Sequence, residues 1–111
     1  MQISRGDIWQ INLNPTKGHE QAGIRPCVVV SVDPFNNGPG KLVFVLPMTT
    51  TDRNIPFHIK IQPPESEKIS VIRCDSIRSI STDRMIRRLG CVSQKTMAEI
   101  EDRLKILLGI Y

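Results

Sequence analysis

Histidine, cysteine and aromatic residues are all scarce in this chain, and each shortage closes off a class of function. The 111 residues include two histidines, His19 and His58, and three cysteines, Cys27, Cys74 and Cys91. None of these stands at metal-ligand spacing from another, so neither a structural nor a catalytic metal is supported. Three thiols cannot all pair and none lies in a C-x-x-C, which argues against a disulfide framework and for a reducing compartment such as the cytoplasm. Cys27 stands in the apolar run 26–32 and reads as a small core residue, not a reactive thiol. Aromatic residues make up 5% of the chain (Trp9, Phe35, Phe44, Phe57 and Tyr111), too few for a broad base-stacking platform. Phe35, within a turn, is the one expected to be exposed. No segment approaches the roughly 18 apolar residues of a membrane span, and the N-terminus has no apolar stretch of signal-peptide length. G-x-S-x-G, Walker A and G-x-G-x-x-G sequences are also missing, so no serine triad and no nucleotide cofactor is indicated.

What is present is an ordinary globular composition, 40% hydrophobic and 23% charged, in a length that suits one domain spanning residues 1–111. Fifteen Lys and Arg against 11 Asp and Glu give a formal net charge of +4, a mild pull toward a polyanionic partner.

The first two-thirds reads as short strands between turns. Residues 7–13 form a first strand, with Ile8, Ile11 and Leu13 apolar and Trp9 out of strict alternation. Residues 27–32 and 42–46 are dense in β-branched and apolar side chains, as strands buried on both faces are. Between them, Asp33-Pro-Phe-Asn-Asn-Gly-Pro-Gly40 is a turn. Phe57, Ile59 and Ile61 alternate with His58, Lys60 and Gln62, a one-sided strand on whose polar face His58 reads as a solvated surface histidine. Residues 70–73 and 76–80 are two more short strands or one bent one, and 84–89 is a short helix or a turn. Met97, Ile100, Leu104, Leu107 and Leu108 then recur at helical spacing, with Ser93 as N-cap and Gly109 as the C′ residue. The pattern predicts a mainly β fold with a C-terminal helix, packed as a small, strongly bent antiparallel barrel.

Three stretches exceed what a plain barrel needs. Residues 14–26 make a loop of about a dozen residues, longer than hairpins require, ending in Arg25 held by Pro26. Pro47-Met-Thr-Thr-Thr-Asp52 sets three hydroxyls at the end of an apolar strand, with Thr49 and Thr51 on one face and Thr50 on the other. Residues 73–88 carry five arginines against Asp75 and Asp83, so most of the excess charge lies here. That stretch is either a solvated charged face or a groove that tracks phosphates, whose oxygens match arginine donors bidentately.

Arg5-Gly-Asp-Ile-Trp9, the loop Gly18-His-Glu-Gln-Ala-Gly-Ile-Arg-Pro26 with Val28-Val-Val-Ser31, the Pro47-Met-Thr-Thr50 step and Pro56-Phe57 together resemble the MazF/PemK toxins of bacterial toxin-antitoxin modules. The resemblance runs essentially full length and includes the helical tail. It implies a small SH3-like β-barrel that forms a homodimer, and a sequence-specific endoribonuclease needing no metal or other cofactor. The family's catalytic pair maps to Arg25 and Thr49. Substrate-binding positions map to Glu20, Gln21, Thr50, Asp75, Ser76 and Arg78. His19 replaces the serine often found before the loop glutamate, a departure that bears on which RNA is accepted. The resemblance also implies a cognate antitoxin whose acidic, disordered tail covers the RNA channel.

Metal-free RNA cleavage proceeds by attack of a 2′-hydroxyl on the adjacent phosphorus, leaving a cyclic phosphate and a 5′-hydroxyl. It needs a proton acceptor, a proton donor and stabilisation of a phosphorane. Arginine suits the last role, because its fork meets two phosphate oxygens and its charge is permanent. Thr49 adds a hydroxyl donor, and Glu20 either acts as base or orients Arg25. The substrate that the resemblance implies is single-stranded RNA (mRNA), and with few aromatics to stack on, its unstacked bases are expected to be read by hydrogen bonds. Two other classes stay open: a gyrase-poisoning toxin on the same fold, which uses a Trp near its C-terminus where this chain has none, and a catalytically inert RNA-binding barrel.

Overall fold

A computed structural model describes residues 1–111, with every residue placed. Seven strands and two helices follow one another as β1 (Asp7–Asn12), β2 (Ile24–Val29), α1 (Asp33–Asn36), β3 (Leu42–Thr49), β4 (His58–Ile61), β5 (Ser70–Arg73), β6 (Arg78–Ser81), β7 (Met85–Cys91) and α2 (Gln94–Leu108). All pairings are antiparallel, in the order β4-β5-β3-β2-β1-β7, with β6 on the first half of β3. The architecture is mainly β with a C-terminal helix, as the sequence pattern predicts, and the sheet is barrel-like, with β4 and β7 as the ends of the ladder.

β3 is the strand that bends the sheet. Its residues Leu42–Val45 pair with β6, while Met48 and Thr49 pair with β5. Pro47 lies between, opposite Cys27 of β2. It offers no N–H to the ladder, so the strand changes partners there at little cost in hydrogen bonds. The two faces carry separate cores. Trp9, Ile11, Leu13, Cys27, Val29, Val43 and Val45 pack on one side, and Ile8, Val28, Leu46, Met48, Ile72 and Ile100 on the other. Trp9 is therefore in phase with Ile11 and Leu13, and it is Ile8 that points the other way. Expecting Trp9 to break the alternation was wrong, because β1 is covered on both faces. β2 is buried on both faces from Cys27 onward, but Leu42 and Phe44 of β3 are exposed, so only the second half of that strand is two-sided.

Several boundaries move. β2 begins three residues earlier than expected and takes Ile24, Arg25 and Pro26 out of the loop. Gly23, at φ +85°, makes the turn into it; a side chain there is disfavoured sterically. A turn of helix, α1, occupies part of the 33–40 connection. Residues 70–81 are two strands separated by a 3-10 turn at Cys74–Ser76. Of residues 84–89, expected as a short helix or turn, only Arg84 lies in a 3-10 turn, and the rest belong to β7, Met85–Cys91. The edge position explains the misreading: β7 has one partner strand and little burial, so its side chains show no period-two apolar pattern. α2 begins and ends as the sequence signals. Ser93 Oγ accepts from Thr96 N at 3.1 Å, and Gly109 adopts φ +68° while the amides of Gly109 and Ile110 close on Ile106 and Lys105 carbonyls. No helix is long and apolar enough to cross a membrane.

Candidate active site

The second strand, the end of the third and the start of the fourth converge on one cleft. Arg25 stands opposite Ile11 in the β1–β2 ladder, and Thr49 opposite Val71 in the β3–β5 ladder. Both are thus fixed by sheet hydrogen bonds, not carried on a loop. Together with Gln21, Thr50, Thr51, Arg53, Ile55, His58 and Arg73 they line a hollow of about 230 Å³. Three arginines and no carboxylate face it, so the field inside favours an anion.

Arg25 and Thr49 are each held by one hydrogen bond and keep other donors free. Arg25 donates through Nε to the carbonyl of Ala22 at 3.1 Å, and its two terminal nitrogens make no protein hydrogen bond. Thr49 Oγ1 accepts from the amide of Thr51 at 3.2 Å, which leaves its own hydroxyl hydrogen to donate elsewhere. Arg73 reaches across the cleft to Gln21, Nη1 to Oε1 at 2.6 Å, tethering the long β1–β2 loop to β5. Behind it, Asp75 Oδ1 lies 3.1 Å from His58 Nε2 and 3.7 Å from Arg73 Nε.

The other expected positions are placed differently. Ser76 Oγ turns to Asp75 at 3.4 Å, so both sit behind the cleft wall. Arg78 donates to the carbonyl of Leu13 at 3.2 Å, bracing the end of β1. Glu20 lies on the exposed loop with its carboxylate on the amide of Lys17 at 2.7 Å, outside the cleft. The arginine-rich stretch does not form one face. Arg84 holds the carbonyls of Asn12 and Asn14, and Arg88 pairs with the buried Asp7 at 3.1 Å, which raises its pKa further. Arg87 and Arg88 instead border a second hollow of about 500 Å³, walled by residues 64–68 and sharing Thr50 with the first. Glu65 in that wall has its carboxyl pulled up by burial but down more strongly by hydrogen bonds from Ser93 and Thr96, and ends below the ordinary glutamate range.

Reading His58 as a solvated histidine was wrong: its side chain is 4% exposed. The sequence shows only that it alternates with core residues, and a polar strand face is assumed wet until a neighbouring segment covers it. Arg53 carries no signal in the sequence, and Arg73 stands out there only as one of the five arginines of 73–88, since nothing local distinguishes it from the other four. Cys27 and Cys74 are core residues, and burial pushes both thiols up to about 12. No three His, Cys, Asp or Glu side chains cluster where they would hold a metal ion.

Residues 4–108 match the family model of the PemK-like, MazF-like toxins of type II toxin-antitoxin systems. The chain belongs to this family. Among MazF/PemK relatives, it is 33% identical to an endoribonuclease MazF of Staphylococcus saprophyticus, over 98% of this chain and 93% of that protein. It is 32% identical to endoribonuclease MazF9 of Mycobacterium tuberculosis, over 98% of each. Among solved structures it resembles MazF of Deinococcus radiodurans, with a TM-score of 0.88 and 28% identity over 98% of both chains. It also resembles a chain of the MazE–MazF complex from that organism, with a TM-score of 0.83 and 27% identity over 100% and 99% of the two chains. The MazF/PemK fold and the Arg25–Thr49 cleft therefore lie in one chain.

Proposed function

We propose that this protein is an endoribonuclease toxin that cuts single-stranded RNA by 2′-hydroxyl attack, without a metal, to leave a cyclic phosphate and a 5′-hydroxyl. The observation that carries this reading is the pairing of Arg25 and Thr49 in one carboxylate-free cleft, each with unspent donors. In the reaction, O2′ bonds to phosphorus and P–O5′ breaks, and the phosphorane between them carries extra negative charge. The free end of Arg25 and the Thr49 hydroxyl supply donors to its non-bridging oxygens, which strengthen as that charge develops. Gln21 and Thr50 line the same cleft and serve the flanking nucleotides, while Asp75, Ser76 and Arg78 act from behind by holding its walls. Family membership and the names of its endoribonuclease relatives support the activity.

Residues 1–111 form a single domain in this reading, acting in the cytoplasm where mRNA is available. The MazE–MazF complex of a similar chain supports an antitoxin partner. An acidic tail suits the basic cleft. A homodimer is supported by the large apolar side chains exposed at the end of α2, Ile106, Leu108 and Ile110, which a second copy would cover. A gyrase-directed activity lacks its Trp, because the single tryptophan, Trp9, is 6% exposed and bonded to Asp7.

The test is to incubate the purified protein with a long single-stranded RNA in chelator and sequence the cut ends. Cuts at a recurring short sequence, with 5′-hydroxyl termini, are expected. Intact RNA, or cutting only with a divalent metal, refutes the reading.

A further inference from the structure

Two buried side-chain nitrogens have no hydrogen-bond partner, Nδ1 of His58 and Nε of Arg73, and both residues line the cleft. A buried polar atom left unpaired loses its bonds to water and gains none in return, and native proteins rarely leave one without a reason. The His58 ring shows what the reason is. Its Nε2 faces Asp75 Oδ1 at 3.1 Å; an ionised carboxylate only accepts, so the proton of the neutral imidazole sits on Nε2. Nδ1 is then a bare, buried lone pair on a residue that lines the cleft with Arg25 and Thr49. A carboxylate fixing the tautomer of a histidine, and ready to stabilise its imidazolium, is the arrangement that makes the other ring nitrogen a base.

We propose that His58 is the proton acceptor for the attacking 2′-hydroxyl, an assignment that rests on the cleavage reaction proposed above. As O2′ bonds to phosphorus, its proton passes to His58 Nδ1. As P–O5′ breaks, the departing O5′ takes a proton from water. The imidazolium, paired with Asp75, then releases its proton to solvent, and the neutral imidazole is restored beside the ionised carboxylate. Glu20 is the competing carboxylate, and it is engaged with Lys17 on an exposed loop outside the cleft.

The charges around His58 oppose one another. Asp75, on the 3-10 turn, and Asp52, which also pairs with Lys60 at 3.2 Å, favour the imidazolium. Arg73 on β5, Arg25 on β2 and Arg53 share the cleft with it and oppose the charge, and Arg103 of α2 bonds the nearby carbonyl of Pro56. Nδ1 is covered by protein, so a ribose has to displace part of the wall to meet it. Residues 50–57, which contribute Thr50, Thr51, Arg53 and Ile55 to the cleft, lie outside any strand or helix. That wall can yield without breaking the sheet. Catalytic hydrogen bonds commonly tighten only when substrate is bound.

The experiment is the pH dependence of kcat/KM on a single-stranded RNA, for the wild type and for His58→Gln, whose amide can still donate to Asp75 but cannot act as a base. Wild-type log kcat/KM should fall with unit slope below the pH at which the His58 ring titrates by NMR. The variant should lose that limb and be slower by about 10²- to 10⁴-fold at neutral pH, the range for losing a general base. Added imidazole should restore part of the rate to His58→Gly. A His58→Gln protein that cuts at the wild-type rate with the same acid limb overturns the proposal. So does a wild-type profile with no limb at the His58 titration, a measurement that needs no variant to fold. Wild-type protein that cuts no RNA instead sinks the ribonuclease reading from which the proposal starts.

Discussion

Arg25→Ala separates what this arginine does for the fold from what it does for chemistry. The side chain makes one hydrogen bond, to the exposed turn at Ala22, has no ion pair, and is only partly buried. Removing a single hydrogen bond of this kind costs about 1 kcal/mol. Unfolding entropy of about 2.1 cal/mol/K per residue over 111 residues turns that into a loss of roughly 4 °C in the thermal midpoint. The catalytic loss is of another order. One donor to a developing oxyanion is worth about 10²- to 10³-fold, and Arg25 offers two unpaired nitrogens and a full charge, so a loss on the order of 10³-fold or more is expected. Single-turnover cleavage of a defined RNA, run beside thermal unfolding, reads both quantities. Arg25→Lys should keep the charge but not the fork and fall between. Wild-type cleavage by Arg25→Ala refutes the assignment. A collapse of its thermal midpoint by tens of degrees refutes the structural half, since the side chain would then be a fold determinant.

Thr49→Val keeps the shape but removes the donor, and should slow cleavage by about 10- to 10³-fold with little change in RNA affinity by a direct binding assay. Ile100→Ala, at a fully buried position where α2 meets the second core, should cost about 2–5 kcal/mol by chemical denaturation; a loss below about 1 kcal/mol would mean the helix is not docked as described. Glu65 has a folded-state pKa below its unfolded value, because Ser93 and Thr96 bond the carboxylate. Its contribution is present above the unfolded pKa and is lost as pH falls through the folded one. The small thermal advantage of wild type over Glu65→Gln should therefore shrink as pH falls through the folded-state pKa, and an advantage that grows on acidification would contradict the sign.

Local patterns carried as far as local physics does. Ser93, the 97–108 stripe and Gly109 announce α2 because capping and helical periodicity are short-range properties. The runs around Val28 and Val45 announce buried strands for the same reason. β7 was missed because an edge strand with few buried side chains imprints no alternation on its sequence. The reach of β2 back to Arg25 was missed because Gly23 and Pro26 read as punctuation when the pairing with β1 is unknown.

By itself the sequence determined the class of fold, the family and the two residues at the centre of the proposed chemistry. It could do so because strand runs, caps and the Gly-x-Glu-Gln-x-Gly-x-Arg-Pro loop are contiguous. Only the tertiary structure decided that His58, from β4, is enclosed against Asp75, and that Arg73 ties Gln21 to the cleft across 52 positions of sequence. The same holds for Glu20, which lies outside. Burial and hydrogen-bond partners depend on which distant segment folds over a side chain, and no window of neighbouring residues contains that information.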